Sequence, residues 1–266
     1  MISISRLVSI AIMVFLVACS SGPAQQTNVS VVNDSFTKRE FNPTIDGNWI
    51  GNGISYGAYR DGEGPGKGLT SKQNILEDLQ IISTRWNLIR LYGSDQQSKN
   101  ILEVIADNDL PIRVMQGIWL DGHKSDEENT AQLEQAIELA NRFPEIIVAV
   151  NVGNEIFVDW SYHRLDDMDK VIAQIRQVRA SVAQPVTVSD DYNFWNKPQA
   201  ARIAAEVDFI GLHAYAFWNN RTLDEAMSWT ESIYRDIERR YPGHVIAYCE
   251  TCLLYTSDAA DDRRGV

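Results

Sequence analysis

Residues 146–155 read IIVAVNVGNE, a short apolar run that delivers an Asn-Glu pair to its end. A run of this length, rich in isoleucine and valine, predicts a buried strand of a parallel sheet. Glu155, placed just past such a strand, is costly to desolvate and adds nothing to packing. Residues 244–250, HVIAYCE, repeat the arrangement and end in Glu250. Both glutamates are therefore candidates for chemistry.

Short β-rich runs alternate with longer amphipathic segments between about residues 49 and 250, which predicts repeated βα units. The predicted strands cover 50–57, 87–92, 111–118, 146–152, 186–190, 207–213 and 245–249. Capping-box patterns at 70–73, 125–128 and 222–225 predict where three of the intervening helices begin. Seven strands approach the eight of a TIM barrel, so we expect an α/β fold, an incomplete (β/α)8 barrel without its eighth strand. A doubly wound open sheet is the alternative, but no Gly-rich phosphate loop follows the first strand.

Composition narrows the function classes. The chain has 266 residues, 44% of them hydrophobic, which suits one large domain. Its formal net charge of −12 would repel phosphate backbones, and no basic cluster relieves this, so we expect no nucleic-acid partner. The four histidines lack metal-ligand spacing. We expect no metal, no cofactor and a monomeric protein.

The amino-terminal residues resemble an export signal. The apolar run 7–18 is too short to span a bilayer comfortably and has the length of a signal-peptide core. It ends in LVAC at 16–19, which resembles a bacterial lipobox, so 1–19 is predicted to be a lipoprotein signal peptide with Cys19 as the lipidated residue. Ser20 follows instead of the Asp associated with inner-membrane retention. We therefore expect an exported protein anchored by lipid to the outer membrane or cell surface, with an ordinary cleaved signal as the alternative.

Two further segments flank the predicted domain. Residues 20–42 are rich in Ser, Asn, Gln and Thr without periodicity, which predicts a flexible tether. Residues 252–266 read CLLYTSDAADDRRGV and continue no earlier pattern. This string resembles the conceptual translation of a sequencing-library adapter, and we expect it to be an artefact. The barrel domain is predicted to cover 43–251.

In a TIM barrel, the residues that follow each strand gather at one face. The candidates at these positions are Tyr56, Tyr92, Trp119, Glu155, Trp160, Asp191, Trp195, His213, Tyr215, Trp218 and Glu250. Flat aromatic faces suit sugar rings, and a pair of carboxyl groups can hydrolyse glycosidic bonds. The set therefore predicts a glycoside hydrolase with a carbohydrate partner, although any single aromatic residue has packing in the core as an equal alternative.

Four segments are similar to the successive motifs of glycoside hydrolase family 17: GISYG at 53–57, IRLYG at 89–93, VGNE at 152–155 and CET at 249–251. The resemblance covers roughly residues 49–251 in the family's order, with the bacterial branch as the closer match. It implies a (β/α)8 fold and endo-1,3-β-glucanase activity on laminarin-type polysaccharide.

The resemblance also implies roles for single residues. Glu155 would be the general acid and base, and Glu250 the ionised nucleophile. Carboxyl groups about 5 to 5.5 Å apart would give double displacement with net retention. Asn154 would hydrogen-bond the sugar 2-hydroxyl. Three more residues match positions that shape and charge-tune the pocket, namely Arg90, Tyr92 and Tyr215, and for Arg90 a purely structural ion pair is the alternative.

The chain departs from the family where family members continue with Gly-Trp-Pro-Ser, because the adapter-like string follows Thr251 here. An open barrel has two unpaired sheet edges, so we expect the polypeptide as written to be unstable or to aggregate. Transglycosylation competes with hydrolysis, since a sugar hydroxyl can replace water. Outside the enzyme class, a non-catalytic glucan-binding lipoprotein remains the alternative, and it would not need Glu155 and Glu250.

Overall fold

The computed structural model describes residues 37–64 and 66–252. The predicted signal peptide with Cys19, the tether up to residue 36 and the tail from residue 253 lie outside the described residues and stay predictions. Among the helices that are described, none combines the length and the apolar character needed to cross a membrane.

A short antiparallel hairpin of β1 (Thr44–Ile45) and β2 (Asn48–Trp49) precedes the main sheet. The main sheet has seven parallel strands whose order in space is their order in the chain. They are β3 (Gly53–Ser55), β4 (Leu88–Arg90), β5 (Arg113–Ile118), β6 (Ile147–Asn154), β7 (Val186–Asp191), β8 (Phe209–His213) and β9 (Val245–Glu250). All seven predicted strands are confirmed. Consecutive parallel pairing is the arrangement of a βα barrel.

Helices connect these strands. They are α1 (Lys72–Ile82), α2 (Gln96–Asp107), α3 (Asp126–Arg142), α4 (Met168–Ser181), α5 (Tyr192–Trp195), α6 (Ala200–Ala204) and α7 (Leu223–Arg240). The predicted capping boxes at Ser125 and Thr222 are confirmed. At α1 the cap is Ser71, one residue later than predicted, because the hydroxyl of Thr70 donates to Glu63 at 2.6 Å instead.

The sheet curls until its edges approach each other. Strands β3 and β9 are the edges, and Ile54 of β3 and Tyr248 of β9 line one small cavity of about 80 Å³. The predicted incomplete barrel with seven strands is therefore confirmed. The first strand is shorter than predicted, at Gly53–Ser55, because an edge strand forms hydrogen bonds with one neighbour only. The fourth is longer and carries the chain to Asn154.

The segment before the hairpin packs on the amino-terminal end of the barrel. Phe41 stacks on Phe209 with ring centroids 4.2 Å apart and joins a barrel-interior cluster with Met115. The backbone N–H of Arg39 donates to Asp208 at 2.7 Å. The described part of the predicted tether, 37–42, therefore does not fit a free linker, because partly buried Phe41 and the backbone of Arg39 attach it to the domain.

Candidate active site

The backbone around Glu155 turns sharply at the carboxyl end of β6. Gly153 has a φ of +82°, and a Cβ there would lie 2.6 Å from the side chain of Ile156, so no other residue fits without strain. Glu155 itself has a φ of +49°, which is uncommon for a residue with a side chain. Its backbone N–H donates to Ser189 of β7 at 2.9 Å. An unusual conformation held by a neighbouring strand is a mark of functional sites.

Glu250 ends β9, and both of its carboxylate oxygens accept hydrogen bonds. Arg90 Nη1 donates to Oε1 at 2.7 Å, and the hydroxyl of Tyr215 donates to Oε2 at 2.6 Å. Arg90 Nη2 also donates to the Asn154 side chain at 2.5 Å. One buried guanidinium therefore links the end of β6 to the end of β9. Arg90 does form an ion pair, and its carboxylate partner is Glu250, so the role of Arg90 in charge-tuning the pocket stays a prediction.

His213, from the end of β8, lies between the two glutamates. Its Nδ1 is 3.1 Å from Oε1 of Glu155, and its Nε2 is 3.7 Å from Oε1 of Glu250. The imidazole is fully buried. Each of its two ring nitrogens faces one of the carboxyl groups from beneath. One carboxylate oxygen of Glu155, one of Glu250 and one ring nitrogen of His213 all lie within 4.8 Å of one another.

The two glutamates open into a cleft of about 570 Å³. Four other predicted site residues line it: Trp160, Asp191, Tyr215 and Trp218. The indole rings of Trp160 and Trp218 are more than half exposed, whereas tryptophans in a core are hidden. Exposed flat rings beside an acidic pair suit a carbohydrate chain.

Seven predicted residues do not line the cleft. Arg90, Asn154 and His213 lie against the two glutamates or their hydrogen-bond partners. The other four are Tyr56, Tyr92, Trp119 and Trp195. Trp195 is fully buried in α5 and donates its Nε1–H to Gly211 at 2.9 Å, so its predicted contact with substrate is wrong. Tyr56 donates its hydroxyl to Asp78 of α1 at 3.0 Å. Tyr56 follows its strand as predicted, but its hydroxyl meets a carboxylate on a helix. Trp195 ends the helix α5, and its N–H meets a carbonyl of β8.

Trp119 and Tyr92 support the site from behind. The ring of Trp119 lies 4.5 Å from that of His163, and His163 Nε2 donates to the Asn154 carbonyl at 2.6 Å. The guanidinium of Arg90 lies over the ring of Tyr92, 4.7 Å from its centroid. These aromatic residues hold Asn154 and Arg90 in place and do not line the cleft.

Sequence reasoning missed three residues at this end of the barrel. Asn193 and Asn219 line the cleft, and Asn219 accepts a hydrogen bond from Tyr192 at 2.6 Å. Asp190 is fully buried and accepts hydrogen bonds from the backbone N–H groups of Phe157 and Asp191. Position after a strand could have pointed to Asn193, whereas Asp190 and Asp191 could not be told apart in the sequence.

The electrostatics of the two glutamates differ. Burial opposes ionisation of Glu250, but the charges of His213 and Arg90 and the hydrogen bond from Tyr215 prevail and lower its pKa to about 2. Burial and the charge of Glu250 raise the pKa of the Tyr215 hydroxyl, which therefore stays a donor. The Glu155 side chain is 25% exposed against 11% for Glu250. Glu250 is thus a buried, stabilised carboxylate, and Glu155 is the more accessible group.

Glu155, His213 and Glu250 also have the geometry of a cation site within the described part of the chain. The donor set is carboxylate and imidazole, which would suit a transition metal. Arg90 and Tyr215 already occupy Glu250, however, and both would have to yield part of their hydrogen bonding. The expectation that no metal is required stays a prediction.

Comparison with known proteins bears on this geometry. Residues 53–252 match the family described as BtgE/BtgC glycoside hydrolase domain. The chain is 27% identical over 173 residues to the btgC protein of Aspergillus niger, covering 62% of this chain and 25% of that protein. It is 23% identical over 173 residues to the glucan endo-1,3-beta-glucosidase btgC of Emericella nidulans, covering 62% and 26%. The chain thus spans about a quarter of the length of these curated relatives.

Solved structures share the fold. An endo-laminarinase from Formosa Hel1_33_131 superposes with a TM-score of 0.64 at 22% identity, covering 76% of this chain and 67% of that one. A family 17 beta-1,3-glucanosyltransferase from Rhizomucor miehei gives 0.58 at 18% identity, covering 75% and 70%. An active-site mutant of a Rhizomucor miehei beta-1,3-glucanosyltransferase, with 19% identity and a TM-score of 0.57, was solved with laminaritriose.

Proposed function

The chain belongs to the BtgE/BtgC glycoside hydrolase domain family, and on that premise we propose that it cleaves 1,3-β-glucan by a retaining, two-glutamate reaction. One observation carries the proposal: a carboxylate oxygen of Glu155 and one of Glu250 lie within 4.8 Å of each other at the mouth of one cleft. Retaining glycosidases have their carboxyl groups about 5 to 5.5 Å apart, whereas inverting enzymes need room for a water between them.

Glu250 is proposed as the nucleophile. Its pKa of about 2 keeps it ionised at neutral pH, so its free lone pairs can attack the anomeric carbon. Arg90 and Tyr215 fix the orientation of the carboxylate through one hydrogen bond to each oxygen. A fixed nucleophile needs no reorientation during attack, which is how positioned groups lower a barrier.

Glu155 is proposed as the general acid and base. In the first step its proton goes to the leaving glycosidic oxygen while Glu250 bonds to the sugar, so the glycosidic bond breaks and a glycosyl-enzyme forms. In the second step the ionised Glu155 takes a proton from an incoming hydroxyl, which displaces Glu250. His213 hydrogen-bonds Glu155 from below, while the exposed quarter of the side chain faces the cleft.

The incoming hydroxyl decides between two outcomes. Water gives hydrolysis, and a sugar hydroxyl gives transfer to a longer glucan. The relatives and fold neighbours include proteins named for each outcome, an endo-laminarinase and a glucanosyltransferase. The site described here serves both, because the two steps use the same glutamates.

The proposed substrate class rests on the cleft and the relatives' names. Trp160 and Trp218 expose 60% and 62% of their surface beside the glutamates, which suits stacking on glucose rings. The relative from Emericella nidulans is named for 1,3-β-glucan, and the Rhizomucor miehei mutant was solved with laminaritriose.

Incubation with laminarin tests the proposal. We expect shorter oligosaccharides by chromatography, with any longer products revealing transfer. Glu155→Gln and Glu250→Gln should abolish processing while laminarin binding, measured by calorimetry, persists. If the wild type binds laminarin without processing it, the binding-protein alternative replaces the enzyme. If both variants process laminarin like the wild type, Glu155 and Glu250 are not the catalytic pair. The matched control is Glu128→Gln, which changes a glutamate in the exposed cap of α3.

A further inference from the structure

Asp190 is a fully buried carboxylate that the proposed reaction does not use. Its Oδ2 accepts the backbone N–H of Phe157 at 2.8 Å, and its Oδ1 accepts the backbone N–H of Asp191 at 2.8 Å. Phe157 lies two residues after Glu155, and Asp191 lines the cleft. A single side chain of β7 therefore ties the loop that follows β6 to the end of β7.

The loop that Asp190 holds is the one that aims Glu155. Glu155 adopts a left-handed backbone, with φ at +49°, two residues after Gly153 at +82°. Such a conformation persists only where the surroundings impose it. Two hydrogen bonds from β7 do so here: Ser189 accepts the N–H of Glu155 at 2.9 Å, and Asp190 accepts the N–H of Phe157. The two bonds bracket the Glu155 Cα and set the direction of its side chain.

Burying Asp190 has a cost that packing does not explain. Burial raises the pKa of Asp190 well above its ordinary value, the two backbone hydrogen bonds oppose this, and the charges of Glu155 and Asp191 raise it further. Within the described residues Asp190 forms no ion pair. A carboxylate kept beside two others, without a cation, is expensive, and its contacts lead to the cleft.

We propose that Asp190 is a positioning residue that directs the Glu155 carboxyl group at the leaving glycosidic oxygen. The inference rests on the proposed function of Glu155. Asp190 acts through the peptide group of Phe157. Among the described residues, its side chain forms no hydrogen bond with the side chain of Glu155 or Glu250. Asn at this position keeps the volume, but its NH2 group cannot accept an N–H group. One side chain then no longer holds both the N–H of Phe157 and the N–H of Asp191, and the loop after β6 is less firmly fixed to β7.

Asp208 provides a matched control. It too is buried, and its two oxygens accept backbone N–H groups from Arg39 and Val186 at 2.7 Å each. It lies at the amino-terminal end of the same strands, away from the cleft that Glu155 and Glu250 line. Asp190→Asn and Asp208→Asn therefore change the same type of backbone contact at the two ends of the barrel. Asp208→Asn also breaks the ion pair with Arg179, so both variants are assayed at a temperature where they are folded.

The experiment compares two substrates. Laminarin needs protonation of its leaving oxygen, whereas a dinitrophenyl β-laminaribioside does not, because dinitrophenolate leaves unaided. In the 266-residue protein, Asp190→Asn should lower kcat/KM for laminarin about 100-fold, the effect of a misplacement of about 1 Å. For the dinitrophenyl substrate, kcat/KM should change less than about threefold. Asp208→Asn should change kcat/KM for both substrates by the same factor.

An equal loss on both substrates for Asp190→Asn, or no loss on either, would overturn the inference. If the wild type cleaves neither substrate, the proposed function fails instead. Amide hydrogen exchange then still decides whether Asp190 fixes this loop: Asp190→Asn should speed exchange at Glu155 and Phe157, while Asp208→Asn should not. Equal protection of these two amides in both variants would refute the positioning role without any activity measurement.

Discussion

At the amino-terminal end of the strands Asp208 accepts two backbone N–H groups and pairs with Arg179 at 2.5 Å. At the carboxyl-terminal end Asp190 accepts the same number of backbone N–H groups, yet its charged neighbours are the carboxylates of Glu155 and Asp191. The first arrangement pairs the carboxylate with a cation, whereas the second places three acidic groups close together, and this raises the pKa of Asp190. The unfavourable arrangement of acidic groups lies at the same end of the sheet as the candidate active site. Perturbed pKa values of this kind are common in active sites.

Aromatic residues follow the same division. At the amino-terminal end Phe41 stacks on Phe209 and closes the barrel interior. At the carboxyl-terminal end Trp160 and Trp218 stay exposed beside the cleft. Burial of charge is therefore a poor guide to function by itself, because both ends bury aspartates. The candidate active site differs from the amino-terminal end because acidic groups and exposed aromatic rings line the same cleft.

The largest expected effect is that of Glu250→Gln. Loss of the nucleophile should lower kcat on laminarin by at least about 10⁴-fold, as removal of a covalent catalyst does. The melting temperature should fall, because Arg90 loses its charged partner in a buried pair, so the rate is measured well below the melting temperature of the variant. Product release measured by reducing-end assay checks the rate, and calorimetry checks the fold. A variant that keeps a tenth of the activity would contradict the assignment.

Glu155→Gln comes next. Loss of the acid and base should lower kcat/KM on laminarin by about 10²- to 10⁴-fold. On the dinitrophenyl substrate the first step should persist, and azide should restore turnover by replacing water without needing a base. Release of dinitrophenolate with and without azide is the measurement. Equal losses on both substrates, with no rescue by azide, would remove Glu155 from its proposed role.

Arg90→Met should act through the pKa of Glu250. Burial raises that pKa, and the charges of His213 and Arg90 lower it to about 2, so removing Arg90 should raise it. Because Glu250 must be ionised to attack, the acid limb of the kcat/KM profile should move to higher pH. In the wild type the depressed pKa also adds stability at neutral pH, and this is lost as pH falls from about 4.5 toward about 2. An acid limb that is unmoved in Arg90→Met would count against this coupling.

A smaller change is expected for the exposed indole rings. Trp160→Ala and Trp218→Ala should each raise KM for laminarin about three- to tenfold, the worth of one aromatic stacking contact. The turnover number should change little, since an indole ring supplies neither a proton nor a nucleophile. The control is Trp49→Ala, another exposed tryptophan, which lies on the β1–β2 hairpin. A KM effect at Trp49 equal to that at Trp160 would argue against specific sugar contacts.

Asp208→Asn should leave kcat and KM unchanged while it costs about 3 to 5 kcal/mol of unfolding free energy, because Arg179 loses its buried partner. Urea denaturation measures the stability, and laminarin kinetics on the folded protein measures the activity. Activity that falls together with stability would erase the distinction between the two ends of the barrel.

The sequence predicted the strands well because buried parallel strands read as continuous apolar runs. The run ending in Glu155 and the run ending in Glu250 both lie where their patterns placed them. Side-chain direction after a strand was less predictable. The prediction that Trp195 contacts substrate is wrong because α5 directs its side chain into the core, where its Nε1–H donates to the carbonyl of Gly211. Apolar patterning does not specify the backbone at that turn.

Asp190 shows a second limit. It and Asp191 are identical in type and adjacent in sequence, yet one is fully buried and the other lines the cleft. The difference arises because Asp191 caps α5 through the N–H of Asn193, while Asp190 turns toward Phe157. Such a distinction depends on contacts between two loops far apart in the chain, which no local pattern records.

The stereochemistry of cleavage tests the central claim most directly. Proton NMR of a reduced laminarioligosaccharide during its first turnovers reports the configuration of the newly released anomeric centre. Glu155 and Glu250 acting by double displacement should release the β anomer first, with the α anomer appearing only through mutarotation. Initial release of the α anomer, or no cleavage by the wild-type protein, would contradict the account.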